Sequence, residues 1–316
     1  MKKKLAIFSL CLFFFVMGWT FRYLYTTMEL PGKTKEIQRR ELRKTLKLRK
    51  DKLSDMVIIE EKDMGGYTRK LLRFRWQGLS HEAYLLIPNH QKGKVAAILA
   101  IHGHHTTKEA LVGIKDSRFG VRFGLGLVKS GFCVLAPDIP FSEDMRVEDH
   151  VALNLIMAGT SLTGMRVSYL KTLLDYLSAL SFVDPEKLGC IGWSMGGGLT
   201  MYLSAVDERV KVVAISSYFG TYKDTFMKLR SSTDNYIPGI LSFGEMADVA
   251  CLVVPRPLWF ENGTQDEEFP EDAFLQGIET LKKCYAGFEE RLAWQLIPGG
   301  HGFKGEGIEE WFKKWL

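Results

Sequence analysis

The five residues Gly192-Trp193-Ser194-Met195-Gly196 have the types and spacing to present a serine hydroxyl as a nucleophile. A serine mounted on a sharp turn between a buried strand and a helix stands clear of the backbone with its oxygen exposed. Glycines must flank it, because a Cβ at those places would collide with the adjoining strand and helix. Gly192, Gly196, Gly197 and Gly198 supply that room. The pentapeptide alone is a weak signal, and its bland reading is a glycine-rich turn with a solvated serine. Its context is stronger, since Lys187–Ile191 reads as a short buried strand and Gly197–Val206 as a helix of small apolar residues.

Such a serine needs a base to take its proton and a carboxylate to orient the base. His301 lies in Pro298-Gly299-Gly300-His301-Gly302-Phe303, a loop that follows the strand-like run Arg291–Ile297. Without the serine it would read as a surface histidine in a turn. Asp266 follows the run Arg256–Gly263, a buried strand breaking into a turn, and it precedes His301 as the order serine, acid, histidine requires. Glu261, Glu267 and Glu268 compete for the acid role. Glu261 should lie inside the strand and the other two further along the loop, which favours Asp266. The oxyanion formed by attack on a carbonyl needs two N–H donors, expected from the backbone of Met195 and of His104. His104 lies in His102-Gly103-His104-His105, directly after the apolar strand Val95–Ile101. Those histidines could also suggest zinc, but no Cys lies close by in sequence and the H-x-x-x-H spacing of a helical site is absent, so no metal is expected.

With these residues the chain resembles the α/β-hydrolases, and within them the branch of dienelactone-hydrolase-like and acetyl-xylan-esterase-like enzymes. The resemblance covers about residues 80–316 and is carried most specifically by Gly159–Arg166, Asp175-Tyr176-Leu177, Val183–Lys187, Asp207–Lys211 and Ser216–Gly220 around Ser194. It implies a triad of Ser194, Asp266 and His301, with the Met195 and His104 amides as oxyanion donors. Dienelactone hydrolases proper use a cysteine nucleophile where this chain has serine, so their substrate does not carry over.

The expected fold is α/β: a mostly parallel sheet with helices on both faces. Tyr67–Trp76 and His81–Pro88 form its antiparallel edge, Phe132–Asp138 and Val210–Ser216 further strands, and Val151–Leu180 is largely helical. At 316 residues and 46% hydrophobic content the chain can bury one substantial catalytic domain, placed at 57–316. Residues 218–250, rich in aromatics, could form a lid or pocket wall, or simply pack. The net charge of +5 is modest and much of the excess falls between Lys33 and Lys52, so it says little about the catalytic face, and nucleic-acid binding is not indicated.

Lys2-Lys3-Lys4 followed by the apolar run Leu5–Phe21 reads as a signal peptide or a membrane anchor, 1–21, with an uncleaved anchor favoured. Flanking charges conflict, and an external catalytic domain is the expectation. Residues 22–56 form a basic stalk; within it Ile37, Leu42, Leu46 and Leu53 suggest an amphipathic helix packed on the domain or lying on anionic lipid. Cys133 and Cys190 fall in buried strands, and Cys251 and Cys284 show no paired spacing, so free thiols are expected throughout. The function expected is hydrolysis of small or carbohydrate esters through an acyl-serine, without a cofactor and with no nucleic-acid partner. An amidase or peptidase with the same triad, and a noncatalytic membrane-tethered binding protein, are the alternatives.

Overall fold

Apolar runs bounded by turn residues pair here into one nine-stranded sheet, in the computed structural model that describes residues 34–89, 93–229 and 231–316. The strands are β1 (Ser54–Asp63), β2 (Tyr67–Trp76), β3 (Leu79–Pro88), β4 (Val95–Ile101), β5 (Cys133–Pro137), β6 (Val183–Trp193), β7 (Val210–Ser216), β8 (Leu258–Gly263) and β9 (Leu292–Ile297). Their order is β1-β2-β3-β5-β4-β6-β7-β8-β9. The first three are antiparallel and β3 meets β5 antiparallel; from β5 to β9 every pairing is parallel. From β4 the chain goes first to β5 on one side and then to β6 on the other. This reversal opens a crevice at the C-terminal ends of β4 and β6, where open α/β sheets place their ligands.

The inner parallel strands β4, β5, β7 and β8, and β6 from Leu188 onward, are buried on both faces, which is why they read as continuous apolar runs. Along β4, Val95, Ala97, Leu99 and Ile101 join one core, and Ile98 and Ala100 the other. Helices cover both. Ten are described: α1 (Lys35–Thr45), α2 (Lys108–Leu111), α3 (Phe123–Lys129), α4 (Met145–Met157), α5 (Leu162–Ala179), α6 (Met195–Val206), α7 (Ile240–Phe243), α8 (Met246–Cys251), α9 (Glu271–Cys284) and α10 (Ile308–Trp315). The first core takes Leu170 and Leu173 of α5, Leu199 and Leu203 of α6, and Phe274 and Ile278 of α9. The second takes Leu127 of α3 and Trp311 and Phe312 of α10. The expected mostly parallel sheet with helices on both faces is therefore the architecture found.

Arg39–Leu316 form one compact unit; of the other, Met1–Gln38, only the end from residue 34 is described. Leu42 and Leu46 are fully buried in the first core, and the Arg43 guanidinium donates to the Val206 carbonyl at 2.7 Å, so the expected stalk packs with the sheet from Arg39 onward. The anchor expected at 5–21 lies outside the described residues. Among those described, no helix is long and apolar enough to cross a membrane.

One expectation is corrected. Cys251 and Cys284 are joined by a disulfide, with Cα atoms 5.8 Å apart, and are not free thiols. They end α8 and α9, two helices that pack together, and their separation of 33 residues carries no local signal. Cys133 and Cys190 are free and buried, and burial pushes both thiols up to about 12.

Candidate active site

Ser194 links β6 to α6 with φ 54° and ψ −127°, a left-handed backbone that side chains rarely adopt. Strain of this kind costs on the order of 1–3 kcal/mol and persists only where the surroundings fix it. They do so here: the Ser194 N–H donates to the Ser216 carbonyl at 2.9 Å, and the Ser194 carbonyl accepts from Gly198 at 3.1 Å. Close approach explains the glycines. A Cβ on Gly196 would lie 2.2 Å from the Ile101 carbonyl oxygen, and one on Gly103 would lie 2.8 Å from the Ser194 Cβ. The loop after β4 is thus pressed against the Ser194 turn.

His301 Nε2 lies 2.8 Å from Ser194 Oγ, and His301 Nδ1 lies 2.8 Å from Asp266 Oδ2. Asp266 is buried, and its other oxygen accepts the N–H groups of Glu268 and Phe269 at 2.9 and 3.0 Å. An ionised carboxylate can only accept, so His301 carries its proton on Nδ1 and turns a lone pair toward Ser194. Burial works against charging His301, but the Asp266 hydrogen bond and charge outweigh it and leave its pKa raised. The imidazole is held between Trp193, 5.1 Å away, and Phe269, 6.0 Å away and nearly parallel. The loops bearing Asp266 and His301 are tied together, since Thr264 donates to the Ile297 carbonyl and Gln265 to that of Gly299.

Glu261 is no part of that chain. It lies inside β8, and its carboxylate accepts from Ser216 Oγ, Gln295 Nε2 and the N–H groups of Lys304 and Gly305, all at 2.9–3.0 Å. Each oxygen thus accepts two bonds, one from a neighbouring strand and one from the segment just past His301. Glu267 and Glu268 instead line a cavity of about 610 Å³ above Ser194, together with His104, His105 and Arg118. Thr225, Phe226 and Leu229, from the segment expected as a lid or wall, line it too.

Met195 is the first residue of α6, where the N–H has no acceptor inside the helix. His104 follows β4 across from it. His102 is buried and stays neutral, its pKa pushed down to about 4 by desolvation. Its Nε2 accepts from Ile139 at 3.3 Å and its Nδ1 donates to the Gly103 carbonyl at 3.0 Å, which braces the His104 loop from behind. His104 Nε2 lies 2.8 Å from Glu148 Oε1 and 3.7 Å from Asp234 Oδ2. These three groups could surround a cation, but both carboxylates are already bonded to the guanidinium of Arg166.

Glu148, Arg166, Asp234 and Glu261 in these supporting roles escaped the sequence reading. A signal existed for Arg166, which shares a helix face with Leu162, Leu170 and Leu173 and so had to be a buried charge needing partners. Glu261, in the apolar run Leu258–Gly263, carried the same signal.

The comparisons agree with this architecture. YtaP of Bacillus subtilis (strain 168) is 27% identical over 231 residues, covering 70% of this chain and 77% of that protein. Among solved structures, methylesterase BT1017 superposes with a TM-score of 0.71 at 19% identity, covering 89% of this chain and 63% of that one. A glucuronoyl esterase from Solibacter usitatus gives 0.67 at 12% identity, covering 87% and 90%. At these identities the structural likeness is one of fold. Residues 82–306, well over half of the sequence, match the dienelactone hydrolase family, and the chain belongs to that family.

Proposed function

We propose that this protein is a serine carboxylic-ester hydrolase that cleaves small or carbohydrate esters. The observation that carries the reading is the continuous chain Asp266–His301–Ser194, with both links at 2.8 Å. Ser194 Oγ attacks the ester carbonyl carbon while His301 Nε2 takes its proton. Asp266 holds the imidazole tautomer and balances the imidazolium. The tetrahedral oxyanion accepts from the N–H groups of Met195 and His104. His301 then returns the proton to the departing alcohol, and water repeats the sequence on the acyl-serine. Every proton in this scheme moves between side chains, substrate and water, so no cofactor enters.

The cavity supports a hydroxyl-bearing substrate. Its wall sets Arg118, Glu267, Glu268, Ser231 and Ser232 beside Phe119, Met145, Trp193, Phe226 and Leu229, a mix of charged, hydroxyl and aromatic groups of the kind that holds a sugar. The glucuronoyl esterase among its structural neighbours fits that reading. The catalytic domain works outside the cytoplasm, behind a signal or anchor at 1–21. The Cys251–Cys284 disulfide supports this, because such bonds persist in oxidising compartments. Residues 218–250 serve as a wall of the substrate cavity.

Purified protein assayed on acetylated sugars, sugar methyl esters, aryl acetates and the matching anilides tests the reading. Faster turnover of the sugar esters than of aryl acetates, with anilides at least about 100-fold slower, is the expected result. Preference for anilides would point to an amidase, and no turnover of any substrate would contradict the proposal.

A further inference from the structure

Five elements converge on one buried guanidinium beside the nucleophile. Arg166, in α5, is fully buried, yet every side of its head group is engaged. Nε donates to the Pro140 carbonyl at 2.9 Å, Nη1 to Asp234 Oδ2 at 2.8 Å and Nη2 to Glu148 Oε2 at 2.9 Å, while Nη1 also reaches Met195 Sδ at 3.2 Å. The second oxygen of Glu148, itself fully buried in α4, meets His104 Nε2 at 2.8 Å. One planar fork therefore touches Met195 directly and His104 through one carboxylate. These are the two residues whose backbone N–H groups face the oxyanion in the scheme above.

We propose that Arg166 is a positioning residue for the reaction, fixing both oxyanion donors from inside the fold through Met195 and through Glu148 and His104. The proposal rests on the serine-esterase reading and deepens it. A buried guanidinium bound to two carboxylates is a poor source of stability, because desolvation offsets most of the attraction. What it provides is geometry, since the rigid planar guanidinium fixes the directions of its N–H groups and so the places of the two carboxylates that accept them. Charge closes the network as well: Glu148 and Asp234 outnumber Arg166 by one, and a protonated His104 restores neutrality. Burial opposes that protonation, but the Glu148 hydrogen bond and the Asp234 charge outweigh it and raise the His104 pKa. Lysine could keep the charge at 166 but could not bridge both carboxylates.

Replacing Arg166 by an apolar residue would strand two buried carboxylates and risks unfolding the chain, so the test uses Glu148→Gln and Arg166→Lys. Three quantities are measured on folded protein: kcat, KM for an aryl acetate, and Ki for phenylboronic acid, whose tetrahedral serine adduct places an oxygen in the oxyanion site. Each variant is expected to lose about 10- to 100-fold in kcat with KM within about twofold. The boronate Ki should rise by the factor lost in kcat/KM, which a general loosening of the pocket would not produce. Unchanged kcat in both variants, or a loss of kcat with an unchanged boronate Ki, overturns the proposal. Ser194→Ala measured alongside separates the two claims: turnover persisting there contradicts the esterase reading, whereas inactivity there with unimpaired Glu148→Gln and Arg166→Lys contradicts Arg166 alone.

Discussion

At the scale of single residues, the chemistry turns on which atoms carry protons. His301 must be neutral at Nε2 to accept from Ser194, and its pKa is raised above the ordinary 6.5. The kcat/KM profile should therefore rise with pH through an apparent pKa above 6.5, with activity lost on the acid side. Stability runs the opposite way. A raised imidazole contributes stability fully present below its unfolded pKa and lost as pH climbs through the folded value, so this contribution fades as activity appears. In Asp266→Asn the acid limb should move to lower pH, because the group that raises His301 is gone, and kcat should fall about 10³- to 10⁴-fold as the tautomer is lost. A pH–rate series on both proteins checks the shift.

At the scale of elements, two β-strand ends and two loops must hold their positions to a few tenths of an ångström. Glu261 is the brace of the His301 loop, and Glu261→Gln turns one accepting oxygen into a donor that faces other donors. Melting temperature and steady-state kinetics should show a loss of about 1–3 kcal/mol in stability and a fall in kcat rather than a rise in KM. Gly196→Ala should lose the fold or the activity outright, since its Cβ would sit 2.2 Å from the Ile101 carbonyl. Elements of this kind are legible where burial is complete. Val95–Ile101 and Val210–Ser216 are strands at the bounds their apolar runs suggest, because both faces of each are covered. β1 escaped the sequence reading for the opposite reason: most of it is exposed on both faces, so its side chains follow no alternating pattern. Residues that meet only through topology are the hardest to read. Nothing local joins Glu148, Arg166 and Asp234, and the sequence around His104 does not point to Glu148, which α4 brings to it from 44 residues away.

At the scale of the molecule, the disulfide closes α8 to α9 across 33 residues. Loop-closure entropy gives such a link about 3–4 kcal/mol. Reduction, or the Cys251→Ser/Cys284→Ser pair, should lower the melting temperature accordingly. Because neither cysteine lines the cavity, kcat of the folded protein should stay within about twofold, as expected of distant, independent sites. Alkylation in denaturant, which exposes the buried Cys133 and Cys190, of protein isolated from its native compartment, with and without reductant, reads the compartment directly. Two thiols modified before reduction and four after, in chains lacking Cys11, is the pattern of an oxidising location.

The central claim is that Ser194 is a nucleophile activated by His301. A fluorophosphonate reacts preferentially with such an activated serine, and peptide mapping by mass spectrometry locates the adduct. Wild-type protein should carry one phosphonate on the peptide containing Ser194, and Ser194→Ala should carry none while losing about 10⁴-fold or more in ester turnover. An unlabelled wild type, an adduct on another residue, or turnover surviving in Ser194→Ala would contradict the account.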